Sequence, residues 1–183
     1  MSRNTRIRNL INRLARLDAA GGWVGDLNPT QKAALEYLAR ANRYSRAPSQ
    51  VADFIGTTRG TMSQTLKALM RKGYVSEQRQ KTDQRSISYA LTTTGAEILN
   101  QSNLVAEAIS TLPDTVQQQL EQLLEQGLRA ALTANGGRSF GLCHSCSHHR
   151  DHGDHGYCAL LKLALEPGEK HKICIEHSPG VLS

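Results

Sequence analysis

Val51-Ala-Asp-Phe-Ile-Gly-Thr-Thr-Arg-Gly-Thr-Met-Ser-Gln-Thr-Leu-Lys-Ala-Leu-Met-Arg-Lys-Gly-Tyr-Val75 carries two helical patterns in succession. Val51, Ala52, Phe54 and Ile55 mark a short helix. Gly56 can take the left-handed conformation that ends it, and the Thr57 hydroxyl can cap the next helix. Met62, Leu66, Leu69 and Met70 recur at i, i+4, i+7 and i+8, so one side of the second helix faces a core. The other side carries Arg59, Gly60, Thr61, Ser63, Gln64 and Lys67. These supply cations for phosphates and small hydrogen-bonding groups for base edges. Gly73 stops the helix and Tyr74-Val75 opens a strand. Two short helices across a tight turn, the second polar and basic outward, read as a helix-turn-helix.

The next residues extend that reading. Glu77 to Gln80 leads into Lys81-Thr-Asp-Gln-Arg85. Ser86-Ile-Ser-Tyr-Ala-Leu91 then alternates, Ile87, Tyr89 and Leu91 facing one way and Ser86, Ser88 and Ala90 the other. This is a β-hairpin with a basic, polar tip. From Gly56 to Ala90 there are seven Lys or Arg against two acids, so this segment carries +5 of the chain's formal +6. Apolar faces on paired helices mostly report packing; the placement of charge is what points to a polyanion.

In order and spacing, the chain from Thr5 to Ala134 resembles the MarR-type winged-helix transcription regulators. The residues that carry the likeness are the helix-turn-helix, Lys72-Gly-Tyr-Val75, a wing ending in Asp83-Gln84-Arg85, and Leu91-Thr-Thr-Thr-Gly95. The resemblance implies a mainly α fold with a small β-wing over residues 1–134, dimerised by its N- and C-terminal helices. It implies that the second helix enters the major groove of double-stranded DNA while the wing reaches the minor groove. Arg59, Gly60, Thr61, Ser63, Gln64, Lys67, Lys81, Asp83 and Arg85 become the DNA-binding set, with the Asp83 carboxylate steadying Arg85. Gln80, Lys81 and Thr82 give a tip with less Arg than the family often carries. A homodimer would place two reading helices about 34 Å apart on a palindromic operator, with repression as the expected outcome. Whether a small-molecule effector binds is open.

The remaining helices fit this scheme. Ile7, Leu10, Ile11, Leu14 and Leu17 form a stripe opposite Arg3, Arg6, Arg8, Arg13 and Arg16, and Gly21-Gly22 breaks the helix. Asn28 caps a second helix with Pro29 in its first turn and Leu35, Leu38 and Ala39 on its buried face. Pro48-Ser49 opens the helix-turn-helix. Thr94-Gly95 begins a helix that runs through Ile98, Leu99, Val105, Ala106 and Ile109. Pro113 starts another, whose edge is Val116, Leu120, Leu123, Leu124, Leu128 and Leu132. From Thr94 to Ala134 there are five acids and one Arg, so this region avoids DNA, and its long Leu edge suits a dimer interface.

Asn135-Gly136-Gly137 is a linker, and residues 135–183 form a separate tail. All four cysteines and all seven histidines lie between Cys143 and His177. The pattern is Cys143-x2-Cys146-x11-Cys158-x15-Cys174. Four thiolates can complete a tetrahedral zinc site or hold an iron–sulfur cluster. The layout, with Gly156-Tyr-Cys158 and a Pro167-Gly168 turn before Cys174, is similar to that of high-potential iron–sulfur proteins. Those proteins wrap their cluster in aromatics, and only Phe140 and Tyr157 are near. His144, His148, His149, His152, His155, His171 and His177 offer further donors, so Zn2+ bound by three Cys and one His stays open. Either centre would stabilise the tail or sense redox or metal state.

At 183 residues, 39% hydrophobic, the chain can hold one moderate core and a small appendage. A pI near 9.4 fits a nucleic-acid partner. No run of ~18 apolar residues is present, so no transmembrane helix is expected. The Arg-rich start lacks the apolar core of a secretory signal, and a cytoplasmic setting would keep the thiols reduced. A metalloenzyme or redox protein using the tail's Cys, His, Asp151, Asp154 and Glu176 is the rival reading. Four cysteines close a zinc shell, whereas catalysis needs an open position.

Overall fold

Asn28 begins the core. Its Oδ1 accepts from the Gln31 N–H at 2.9 Å, while Gln31 Oε1 accepts from the Asn28 N–H at 3.2 Å, so two otherwise orphaned donors are satisfied reciprocally. The computed structural model describes residues 1–21, 23–79, 87–100, 103–152 and 155–179. In chain order it runs α1 (Arg3–Ala20), α2 (Pro29–Arg40), α3 (Pro48–Ile55), α4 (Arg59–Arg71), β1 (Val75–Arg79), β2 (Ile87–Leu91), α5 (Thr93–Glu97), α6 (Leu104–Ser110) and α7 (Asp114–Ala134). The tail adds β3 (Gly141–Leu142), β4 (His149–Asp151), β5 (Gly156–Cys158), β6 (Leu163–Ala164) and β7 (Ile173–Cys174), with 3-10 turns at Cys143–Ser145 and Glu169–His171.

Leu27, Leu35, Tyr37, Leu38, Val51, Met62, Leu66, Leu69, Val75 and Tyr89 make one core between α2, α3, α4 and the β-hairpin. β1 and β2 pair antiparallel, Val75 opposite Leu91 and Arg79 opposite Ile87. The residues after β2 lock the hairpin to the end of α4. Thr92 Oγ1 donates to the Gly73 carbonyl at 2.7 Å and accepts from the Gly95 N–H at 3.1 Å. A Cβ on Gly95 would stand 2.0 Å from the Tyr74 carbonyl oxygen, so no side chain fits there.

Several local expectations are corrected. Thr58, not Thr57, caps α4, its hydroxyl accepting from the Thr61 N–H at 3.1 Å. Gly56 does end α3, at φ +74°. Met70 is exposed, because it sits about 80° around the helix from Met62 and falls off the edge of the Met62–Leu66–Leu69 stripe. Ala39 is exposed for the same reason, and Ala34 and Tyr37 take the buried face of α2. In β2, Ser88 is buried beside Tyr89, so the alternation is not clean. The helix expected from Thr94 to Ile109 is two: α5 ends at Glu97, and α6 starts anew with the Asn103 Oδ1 accepting from the Val105 and Ala106 N–H groups.

α1, α6 and α7 bury no residue. The α1 stripe from Ile7 to Leu17 is 43–55% exposed, and Leu123 and Leu128 on α7 are 66% and 60% exposed. No helix among the described residues is long and apolar enough to cross a membrane.

The tail is not a free appendage. β3 pairs with β7, and β4, β5 and β6 form a three-stranded sheet. Ile173 joins the main core, and Ala41 and Ile173 form a parallel bridge. Phe140 turns its ring toward Phe54 (5.3 Å) and Tyr37 (6.3 Å), edge on to both. It belongs to this aromatic contact rather than to a shell around the cysteines. Its backbone is left-handed, φ +45°, an unfavourable conformation for a bulky residue that tertiary packing sustains.

Candidate DNA-reading face and thiol cluster

α4 turns opposite sides to protein and solvent. Met62, Leu66 and Leu69 are fully buried, while Arg59, Gly60, Thr61, Gln64 and Lys67 are exposed and Ser63 is half-buried. Gly60, Gln64 and Lys67 lie opposite the core stripe. Arg71 shares their face and is also exposed. It entered the sequence reading only as a charge, although the i+4 step from Lys67 would have placed it there. Thr61 is less free than expected, since its hydroxyl lies 2.8 Å from that of Thr58 in the cap. Lys72 is turned away, pairing with Asp26 at 3.3 Å and Gln31 at 3.1 Å. The hydroxyl of Tyr74 also reaches Asp26, at 2.9 Å. That bond, more than Lys72, holds the Asp26 carboxyl below its ordinary range. Lys81, Asp83 and Arg85 lie outside the described residues.

In the tail, all four cysteines are free thiols, Cys143 and Cys174 buried and Cys146 and Cys158 half-buried. Cys143-x2-Cys146 forms a tight knuckle, the Cys146 N–H donating to the Cys143 carbonyl at 3.1 Å. β3–β7 pairing brings Cys174 alongside it, and β5 contributes Cys158. Burial first, then charge on Cys174, Cys158 and Cys146, pushes the Cys143 thiol up to about 12. Negative charge on any of the other three sulfurs opposes a negative charge on the first. A bound cation would reverse that balance.

One of the sulfurs already receives a donor. The Ser178 N–H lies 3.5 Å from Cys146 Sγ. Burial, above all, pushes the Cys174 thiol up, and the polar groups of Asn42, Glu176 and Ser45 nearby ease it partway back. Such donors are what thiolate ligands of a metal require. As placed, no three His, Cys, Asp or Glu side chains among the described residues already enclose one ion point. The donor set has the chemistry of a thiolate-bound metal site, but its side chains are not arranged around an ion.

The histidines separate into roles. His177 is held between Ser139 Oγ (3.1 Å) and Ser145 Oγ (3.0 Å), one at each ring nitrogen. Burial, above all, lowers its pKa. The His144 Nδ1 lies 3.1 Å from the Lys170 carbonyl. His149 differs: its Nε2 is buried with no hydrogen-bond partner, and its Cα is the register partner of Cys158. Of the rival catalytic set, Asp154 lies outside the described residues, and Glu176 pairs with Arg138 at 3.6 Å.

Residues 25–86 match the model of the MarR family. Solved structures agree on the fold. The S. aureus MepR–DNA complex superposes with a TM-score of 0.55 at 18% identity, covering 71% of this chain and 98% of that one. A MarR transcriptional regulator from Methanosarcina mazei Go1 gives 0.57 at 20% identity, covering 71% and 99%. No curated protein matches the chain in sequence. The missed residues of the MarR-like unit are Asn42 and Ser45. Nothing periodic marks them; they are polar, nearly solvent-free residues that bond far along the chain, Asn42 by its backbone N–H to Ile173 and Ser45 by its Oγ to Ile175.

Proposed function

We propose that this chain is a homodimeric, sequence-specific DNA-binding transcription regulator, acting as a repressor, whose tail holds a Cys-ligated metal centre. The observation that carries the DNA-binding part is the side of α4 opposite its buried stripe, where Gly60, Gln64, Lys67 and Arg71 lie together and exposed. The MarR assignment of residues 25–86 points the same way, to a family of regulators rather than enzymes, and MepR was solved as a DNA complex. Dimerisation is supported by the apolar stripes of α1 and α7, which have no cover within one chain. A two-fold dimer would bury them and set two α4 helices on one face of a palindromic site.

Cys143, Cys146, Cys158 and Cys174 are the proposed ligands, the metal being an iron–sulfur cluster or zinc. Support comes from four free thiols drawn together in a segment whose own strands are only two or three residues long. A second reading, zinc with three cysteines and His149, is favoured by the unpaired buried Nε2 beside Cys158. His177 fits the ligand role poorly because both its ring nitrogens are engaged.

The test of DNA reading uses a duplex selected by the purified protein from a random-sequence pool. Lys67→Ala should weaken binding to all duplexes alike and reduce the slope of log affinity against log salt by about 1. Absence of any duplex affinity at low salt would remove the regulator reading. Absorption and elemental analysis of anaerobically purified protein decide the centre. Broad absorption in the visible range with iron and sulfide means a cluster; a colourless protein with one zinc means the alternative. His149→Ala with unchanged zinc content would leave the four-cysteine site.

A further inference from the structure

Two ties that involve no cysteine side chain bind the tail to the winged helix. The first is at the loop between α2 and α3, where Arg43 pairs with Glu166 and, at 3.6 Å, with Glu169. Glu169 is 4% exposed, and its second carboxylate oxygen accepts the Glu166 N–H at 3.0 Å. A carboxylate this buried is costly unless a cation compensates it, so Arg43 fixes where the segment docks. Backbone bonds flank the pair: the Asn42 N–H donates to the Ile173 carbonyl at 2.9 Å, and Ala41 and Ile173 form a parallel bridge. The second tie is Phe140. Its ring stands 5.3 Å from Phe54 of α3 and 6.3 Å from Tyr37 of α2, and those two rings are 4.5 Å apart.

The loop held by Arg43 carries the DNA-reading elements. Gln50 of α3 donates from Nε2 to the Tyr44 carbonyl at 3.0 Å and accepts the Ala47 N–H at 2.7 Å. The Tyr89 N–H of β2 donates to the Arg46 carbonyl at 3.1 Å. The Arg46 guanidinium in turn closes the loop on the Ala41 carbonyl, at 2.9 and 3.1 Å. The start of α3 and the base of the wing therefore hang from residues 44–47, next to Arg43. The MarR match ends at residue 86, so Phe140, Glu166, Glu169 and Ile173 lie outside it.

We infer that Arg43 and Phe140 are positioning residues for DNA reading, and that the tail segments they hold act as a strap on the helix-turn-helix. The inference rests on the DNA-reading proposal above and requires no metal. Attraction to phosphates by Lys67 and Arg71 needs only their charge. Discrimination between bases needs α3, α4 and the wing in one mutual geometry. With the strap seated, the loop has one conformation and α3 and β2 leave it in fixed directions. With the strap lifted, Glu169 loses its cation, Phe54 loses a ring neighbour, and the loop regains freedom.

Arg43→Ala in the whole chain tests this, with Arg43→Lys as the conservative control. The affinity ratio between the selected duplex and a random-sequence duplex of equal length should fall about tenfold, the scale of one lost base-pair discrimination. The slope of log affinity against log salt should not change. Hydrogen exchange should quicken at least about tenfold at Val51, whose N–H donates to the Ala47 carbonyl at 3.1 Å, and at Tyr89, while Leu69 in α4 keeps its protection. Arg43→Lys should restore most of the ratio. Phe140→Ala should act alike through α3, and it decides the matter where Arg43→Ala fails to fold. An unchanged ratio overturns the inference even where exchange quickens. A smaller salt slope overturns it too, because Arg43 then touches phosphate itself, and so does equal acceleration at Leu69, which would make Arg43 a stability residue. A wild-type chain with no preference between the two duplexes removes the DNA-reading proposal instead, and the exchange rates still show whether the strap holds α3 and the wing.

Discussion

The winged helix and the tail are held together by different means. In the winged helix, residues that recur at helical spacing fill one core, and Leu35, Leu66, Leu69 and Val51 lose all contact with solvent. In the tail, few apolar residues are buried, chiefly Leu165, Ile173 and Ile175. Its strands are too short to fold by pairing alone, and much of its order comes from hydrogen bonds to serine and to the α2–α3 loop. One half can fold from its own apolar surface. The other leans on its neighbour.

On the proposed metal centre, metal removal should break the contrast most widely. For a closed structural site, on the order of 10 kcal/mol of binding free energy is linked to folding. Stripping the metal, or Cys158→Ser, should erase amide protection in residues 141–175 while the α2 and α4 amides survive. If both regions lose protection together, the two halves are one cooperative unit.

Next in size is a lesion on the other side. Leu66→Ala should cost about 2–5 kcal/mol, read as a lowered denaturation midpoint of the winged helix with the metal content of the tail unchanged. Gly141→Ala should then act on the tail alone. Its new methyl would lie 2.4 Å from the His177 ring, and overpacking of this kind costs about 1–3 kcal/mol. Weaker metal retention with normal duplex binding by α4 is the expected result.

The smallest effect concerns Asp26. Its carboxyl sits below the ordinary value of 3.8 in the folded chain, chiefly through the Tyr74 hydroxyl. The unfolded chain therefore binds the proton more readily. The contribution is complete above pH 3.8 and is lost as pH falls through the lower folded value. Asp26→Asn should flatten that part of the acid limb of winged-helix unfolding, and an unchanged limb would show that the pair at the end of α4 contributes nothing.

Much of the winged helix was legible because period and caps are local. The Met62–Leu66–Leu69 stripe, the Gly56 stop and the Asn28–Pro29 start each follow from a few neighbouring residues. The errors share one cause. Met70, Ala39 and Ser88 lie at the margins of their patterns, where a neighbouring element decides which side is covered. Thr57 and Thr58 are equally good caps in sequence, and only the chain path past Gly56 chooses between them. The break between α5 and α6 has no proline or glycine to announce it. In the tail, cysteine spacing named the donors but said nothing of which histidines would be engaged; Ser139 and Ser145 took His177 through contacts with the β3–β7 region.

Sequence alone determined the helix-turn-helix, the basic face of α4 and the segregation of every cysteine into the last segment, because each is written in residues close together. Tertiary structure alone decided that Phe140 and Ile173 complete the core of the winged helix, and that Asn42 and Ser45 bond the backbone of Ile173 and Ile175 on either side of Cys174. Those partners are more than a hundred residues apart for Ser45 and Ile175, and no local pattern encodes a contact that only packing of the whole chain creates.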